Sequence, residues 1–192
     1  MTAQVPAEQV AGAFARQEDV FTQWVTADGT SPFPVAAGRY HLYVSLACPW
    51  AHRTVIVRKL MGLGDAVGMT VVDPIRDERG WAFTDAPGQG PDPVNGWAFL
   101  SEAYAASDPS YHGRVTVPVL WDKESHRIVS NDDDHIMRMF ETTFAPLAKI
   151  RDLDLYPAEH RAAIDALNAE IYERVNNGVY RAGFATSQAP YE

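Results

Sequence analysis

The sequence predicts an α/β domain followed by the opening part of an all-α one, and three observations carry that prediction. Arg39–Leu46 alternates Leu42, Val44 and Leu46 as a strand does, a stretch of helical spacing follows, and Val67–Val72 is rich in β-formers: β-α-β. Two further strands around residues 115–129 and a helix after them complete β-β-α. Beyond Pro146, apolar residues recur at helical spacing with no strand between them. The order β-α-β, connection, β-β-α is that of the thioredoxin fold.

Residues 1–38 read as an irregular N-terminal arm, with Phe14, Phe21, Trp24 and Phe33 scattered among polar residues and Pro32 and Pro34 breaking any pattern. Residues 39–146 form the thioredoxin-like domain. Within it Val55, Leu60 and Leu63 space the first helix, which Gly62 and Gly64 stop. Residues 84–96 (TDAPGQGPDPVNG) are a Pro/Gly-rich loop of a length more often functional than decorative. It lies between two copies of one tetrapeptide, Gly80–Phe83 and Gly96–Phe99, too short to define a repeat fold. Residues 97–106 suit a short helix. Val115–Trp121 and Arg127–Val129 are strands joined by a hairpin, and Ser130–Asp134 opens a helix with Ile136, Met139 and Phe140 on one side. In 147–192, Ile164, Leu167, Ile171, Tyr172 and Val175 predict an amphipathic helix over 158–176. Its apolar face requires a partner, so a helical domain begins here and is incomplete.

Composition narrows the function. The 192 residues are 46% apolar, enough for a proper core, and a net charge of -9 disfavours a nucleic-acid partner. No apolar run approaches the ~18 residues a membrane helix needs, and the first twenty residues lack a secretory pattern, so a cytoplasmic protein without a membrane partner is expected. One cysteine excludes an internal disulfide, a CxxC pair and a cysteine-rich metal site.

That cysteine, Cys48, directly follows the first strand, and Pro49 suits the first turn of a helix. Free N–H groups at a helix entrance favour a thiolate, so a lowered thiol pKa is expected. Two plainer readings stand beside it: a small buried apolar residue, or a metal ligand with His52, for which two ligands are too few. His52 and Arg53 read as surface residues or as sources of positive potential near the sulfur. Ala51 stands where a second thiol would complete a dithiol pair, which leaves monothiol chemistry resolved by an external thiol. Val117-Pro118 suits a cis bond whose preceding residue pairs with an extended ligand, or equally a plain edge-strand proline.

The run Tyr40–Arg53 (YHLYVSLACPWAHR) resembles the xi-class glutathione transferases, the glutathionyl-hydroquinone reductases. Gly80–Phe83, Pro91–Gly96, Gly113–Asp122 and Asn176–Ala185 are similar to the same family, so the likeness runs from about residue 14 to the end. The resemblance implies a thioredoxin-like N-terminal domain, then an all-α glutathione-transferase C-terminal domain, usually dimeric, of which only the start is here. It implies that Cys48 attacks the glutathione sulfur of a glutathionyl-hydroquinone and that a second glutathione resolves the mixed disulfide, with no metal. Trp81, Arg114, Val117 and Pro118 would bind glutathione, and Tyr180 would lie at the quinone pocket. An acidic residue followed by serine usually grips the γ-glutamyl end, whereas this chain has Asp132-Asp133. Asp132 suits an ammonium. Asp133 would set carboxylate against carboxylate, a repulsion of up to ~4 kcal/mol at ~4 Å before screening. Either the thiol is a small one lacking that carboxylate, or Asp133 turns outward and caps the helix. The alternatives to the reductase are a truncated, catalytically silent domain that binds a thiol or a protein, and a reductase of protein mixed disulfides.

Overall fold

The computed structural model describes residues 9–192, and the first eight residues of the expected arm lie outside them. The chain divides into two compact units. One is Asp19–Asp154; the other joins residues up to Glu18 with Leu155–Glu192.

The larger unit is built on a four-stranded sheet whose central strand β5 (Tyr40–Val44) is buried along its whole length. β6 (Val67–Val71) pairs with it in parallel, β7 (Val119–Asp122) antiparallel, and β8 (Arg127–Ser130) lies antiparallel to β7. The spatial order is β6-β5-β7-β8. α1 (Pro49–Leu60) connects β5 to β6, α2 (Ser101–Ser107) precedes β7, and α3 (Asp133–Glu141) follows β8 and packs on α1. This is the thioredoxin-like order expected.

Local chemistry accounts for the boundaries. α1 ends where Gly62 takes φ 66° and its N–H bonds to Lys59 O, a left-handed turn that glycine adopts without strain. The hairpin between β7 and β8 is tied by buried Asp122, whose carboxylate accepts from Glu124 N, Ser125 N and Ser125 Oγ and pairs with Arg39. β7 begins at Val119, not at Val115 as the β-rich run suggests, because Pro118 brings no N–H to a ladder. Residues 115–118 are instead held by side chains. Tyr104 Oη takes the Thr116 N–H and donates to Thr116 O, and Tyr111 Oη donates to Arg114 O.

The two copies of the tetrapeptide pair with each other. Ala82 bridges Phe99 in antiparallel fashion, Phe83 N donates to Ala98 O and Leu100 N to Trp81 O. The loop between them is anchored by Asp92, which is buried and accepts from Tyr43 Oη on β5 and from the N–H groups of Val94 and Asn95. On the same sheet, His41 Nε2 lies 2.8 Å from Thr70 Oγ1, and burial pushes its pKa down to about 4, so it is neutral. Residues 19–38 belong to this unit rather than standing apart. Gln23 N donates to Val129 O, and Val25 and Phe33 are buried, on the two-residue parallel strands β3 (Val25–Thr26) and β4 (Phe33–Pro34).

In the smaller unit a two-residue hairpin, β1 (Gln9–Val10) and β2 (Ala13–Phe14), packs with short helices. The helix expected over 158–176 is α4 (Arg161–Ile171) continuing into a π-helical turn over Tyr172–Asn176, followed by α5 (Gly178–Phe184) and α6 (Gln188–Tyr191). Phe14 is buried with its ring 5.6 Å from those of Tyr180 and Phe184. The stripe expected to be covered is open: Leu167 and Val175 are 57% and 56% exposed.

Candidate active site

Sheet topology collects the candidate residues. β5 and β6 are parallel, so both of their C-terminal ends lie at one edge of the sheet. β7 runs against β5 and begins at that edge, and β8 runs against β7 and ends there. Cys48 follows β5, Val117-Pro118 precedes β7, and Asp132-Asp133 follows β8. The segment after β6 is joined to the stretch that holds Trp81 by Asp73 N bonding to Ala82 O at 2.8 Å. Strand direction thus brings three stretches distant in sequence to one rim, and the Asp73–Ala82 hydrogen bond ties a fourth to it.

Cys48 is the N-cap of α1, with extended backbone, and its side chain does not cap the helix. It is half-buried, and its Sγ points to the Val117 carbonyl oxygen at 3.6 Å, across a Val117-Pro118 bond that is cis. The expected lowering of its pKa is not found. Burial pushes the thiol above its ordinary value and outweighs the N–H groups of Ala51 and Trp50, which pull it down. Asp133 adds a push upward, and Arg114 a smaller pull downward. Helix-entrance amides favour a thiolate, but withdrawal of the sulfur from water costs more here.

The two acidic residues after β8 divide their roles. Asp132 caps α3, its Oδ1 accepting from Asp134 N at 2.9 Å and His135 N at 3.1 Å. Asp133 therefore does not turn outward as a cap. Its side chain is largely covered against α1, where Arg53 donates to its Oδ2 through Nε at 2.8 Å and through Nη2 as well. Burial lifts its carboxyl to about 6, against the pull of Arg53. The pairing of Arg53, read from sequence as a surface side chain or a source of positive potential near the sulfur, went unseen because its partner lies 80 residues away. Only the facing of α1 and α3 joins them.

Trp81 Nε1 is buried without a hydrogen-bond partner among the described residues, and the Arg76 guanidinium lies 5.7 Å from its ring centre. Tyr180 belongs to the smaller unit, where Arg16 stacks over its ring at 4.4 Å and donates through Nε to Asn177 Oδ1. Among the described residues no group of three or more His, Cys, Asp or Glu is placed to hold a metal ion, and no helix is long and apolar enough to cross a membrane.

Comparison with known proteins agrees with this geometry. The family model for the glutathione S-transferase N-terminal domain matches residues 47–143, half of the chain. The chain is 51% identical over 189 residues to the glutathionyl-hydroquinone reductase YqjG of Escherichia coli, a match covering 94% of this chain and 57% of that protein. The chain thus spans a little over half the length of this curated relative. The crystal structure of the Xi glutathione S-transferase of Phanerochaete chrysosporium superposes with a TM-score of 0.88 at 46% identity, over 93% of this chain and 61% of that one. The glutathione-bound structure of Escherichia coli YqjG does so with 0.83 at 53% identity, over 89% and 58%. The chain belongs to the glutathione S-transferase family through its N-terminal domain, and its likeness within that family is to the Xi class.

Proposed function

We propose that this chain removes a small thiol, glutathione or a close relative, from glutathionyl-hydroquinone-type conjugates through a mixed disulfide on Cys48. The observation that carries the reading is the placement of the one thiol of the chain at the helix entrance, 3.6 Å from the backbone carbonyl of Val117, with no second thiol to compete. The thiolate of Cys48 attacks the sulfur of the conjugate. The aryl carbon–sulfur bond breaks, the carbon takes a proton to give the hydroquinone, and Cys48 is left in a mixed disulfide. A second thiol then attacks that disulfide, leaves as the symmetrical disulfide and returns the Cys48 thiolate.

In this reading the first-turn N–H groups of Trp50 and Ala51, together with Arg114, stabilise the charged sulfur. Val117 offers its backbone to the peptide part of the thiol, beside Pro118, and Asp132 suits an ammonium. The unsatisfied indole N–H of Trp81 gains a partner in a ligand oxygen, which offsets a desolvation cost of about 1–3 kcal/mol. Tyr180 supplies a phenol to a hydroquinone oxygen. A lone catalytic thiol suits the reducing cytoplasm.

The test is incubation of the protein with a glutathionyl-hydroquinone, with intact-mass analysis and measurement of released hydroquinone. One thiol adduct on Cys48, lost on adding free thiol and absent in Cys48→Ser, is expected. Hydroquinone release that survives Cys48→Ser, or no adduct at all, overturns the proposal.

A further inference from the structure

Asp133 and its surroundings say which end of a thiol the site accepts. At the first turn of α3 two N–H groups and the nearby Arg53 fork, all able to bind an anion, are already engaged by the chain's own carboxylates. The N–H groups of Asp134 and His135 are bonded to Asp132. The Arg53 fork is bonded to Asp133. Arg138, one turn further, faces Glu141 at 3.1 Å and Asp134 at 3.9 Å. Asp132, Asp133, Asp134 and Glu141 stand against two guanidinium groups, four formal negative charges against two positive. Arg53 cannot turn to a ligand carboxylate without leaving Asp133 buried and unpaired. Asp133 is also close enough to Cys48 to push its thiol up, so a thiol bonded to Cys48 lies within its field.

We propose that Asp133 makes this site select a low-molecular-weight thiol that carries no free carboxylate on its α3 side, where a neutral, hydroxyl-bearing or cationic group is taken instead. This rests on the thiol-exchange reading above and narrows its substrate class to a small thiol whose α3-facing end bears no free carboxylate. Glutathione, with the α-carboxylate of its γ-glutamyl residue, fits less well. Arg114 pulls the Cys48 sulfur toward its charged form, and the discrimination proposed is at the α3 side alone. Asp133 is a specificity-determining residue, not a catalytic one.

The Cys48 thiolate attacks a symmetrical disulfide, one S–S bond breaks as another forms, and one thiolate leaves. Two probes are compared by intact-mass kinetics: glutathione disulfide, and the disulfide of a glutathione analogue whose γ-glutamyl α-carboxylate is a carboxamide. The ratio of the two rates within one protein cancels the intrinsic reactivity of Cys48. Wild type is expected to react with the carboxamide probe about tenfold faster, and Asp133→Asn and Asp133→Ser to bring the ratio near one, chiefly by accelerating glutathione disulfide. A wild-type ratio near one overturns the proposal whether or not either variant folds, and so does a ratio that both variants leave unchanged. Failure of both probes to label Cys48, while iodoacetamide labels it, overturns instead the thiol-exchange reading on which this one stands.

Discussion

Asp133 at the start of α3 accepts a hydrogen bond of 2.8 Å from Arg53 Nε on α1, a charged contact that joins the two helices flanking Cys48. Truncating Arg53 alone leaves a buried carboxylate without its cation. Arg53→Ala is expected to lower unfolding free energy by about 1–3 kcal/mol, less than a fully buried pair because the guanidinium is partly in water. The double variant Arg53→Ala/Asp133→Ser recovers most of the loss. Urea titration of the three proteins measures this, and equal losses in single and double variants would refute it.

The same carboxyl fixes a pH dependence. Burial holds Asp133 at about 6, above its unfolded value near 4, so the folded state binds the extra proton between those pH values. Its contribution to stability is full below about pH 4 and is lost as pH rises through 6. Asp133→Asn does not titrate. Its stability relative to wild type should therefore climb between pH 4 and 6, by up to about 3 kcal/mol, and level off above. Chemical denaturation of both proteins across that range gives the difference, and a flat or falling difference contradicts the assignment.

Cys48 should alkylate as a buried thiol does. Iodoacetamide labelling is expected to keep rising with pH beyond the ordinary thiol range near ~8.5, since burial dominates. Asp133→Asn, by removing a neighbouring negative charge, moves the midpoint down. A rate that plateaus below pH 7 in the wild type would show that the helix-entrance amides win after all.

The long loop depends on one side chain. Asp92→Ala removes the acceptor for Tyr43 Oη and for two loop N–H groups, with Tyr43 buried at the other end. A loss of about 2–3 kcal/mol is expected, with proteolytic cleavage appearing within residues 84–96. Limited proteolysis followed by mass analysis reads both, and a loop as resistant as in the wild type counts against the anchor.

Gly68 is required by packing rather than by backbone angle. A Cβ there would lie 2.5 Å from His41 Nδ1, and His41 is buried and bonded to Thr70. Gly68→Ala should cost about 1–3 kcal/mol through displaced packing between β5 and β6. A thermal midpoint equal to that of wild type would mean that the imidazole yields without loss.

Local patterning specifies much of this protein. Alternation in Tyr40–Val44, the Pro49 start and Gly62 stop of α1, the hairpin before Arg127 and the acidic start of α3 are all signals within a few residues, and the elements form where those signals stand. The lone cysteine and the alanine three residues on give this sequence one thiol and no dithiol pair, by residue identity alone. Local rules fail where distant groups decide. β propensity predicts a strand through Val115, but Pro118 and the tyrosines Tyr104 and Tyr111 hold that stretch out of the ladder.

The sequence by itself determined the fold order, the position of the thiol at a helix entrance and the absence of a second thiol, because each depends on residue identity and on neighbours along the chain. Tertiary structure alone decided the state of that thiol, the turn of Asp133 toward Arg53 rather than outward, and the pairing of the two tetrapeptides. Desolvation and charge pairing act through space, between groups whose approach is set by strand direction and helix facing, and no local pattern records them.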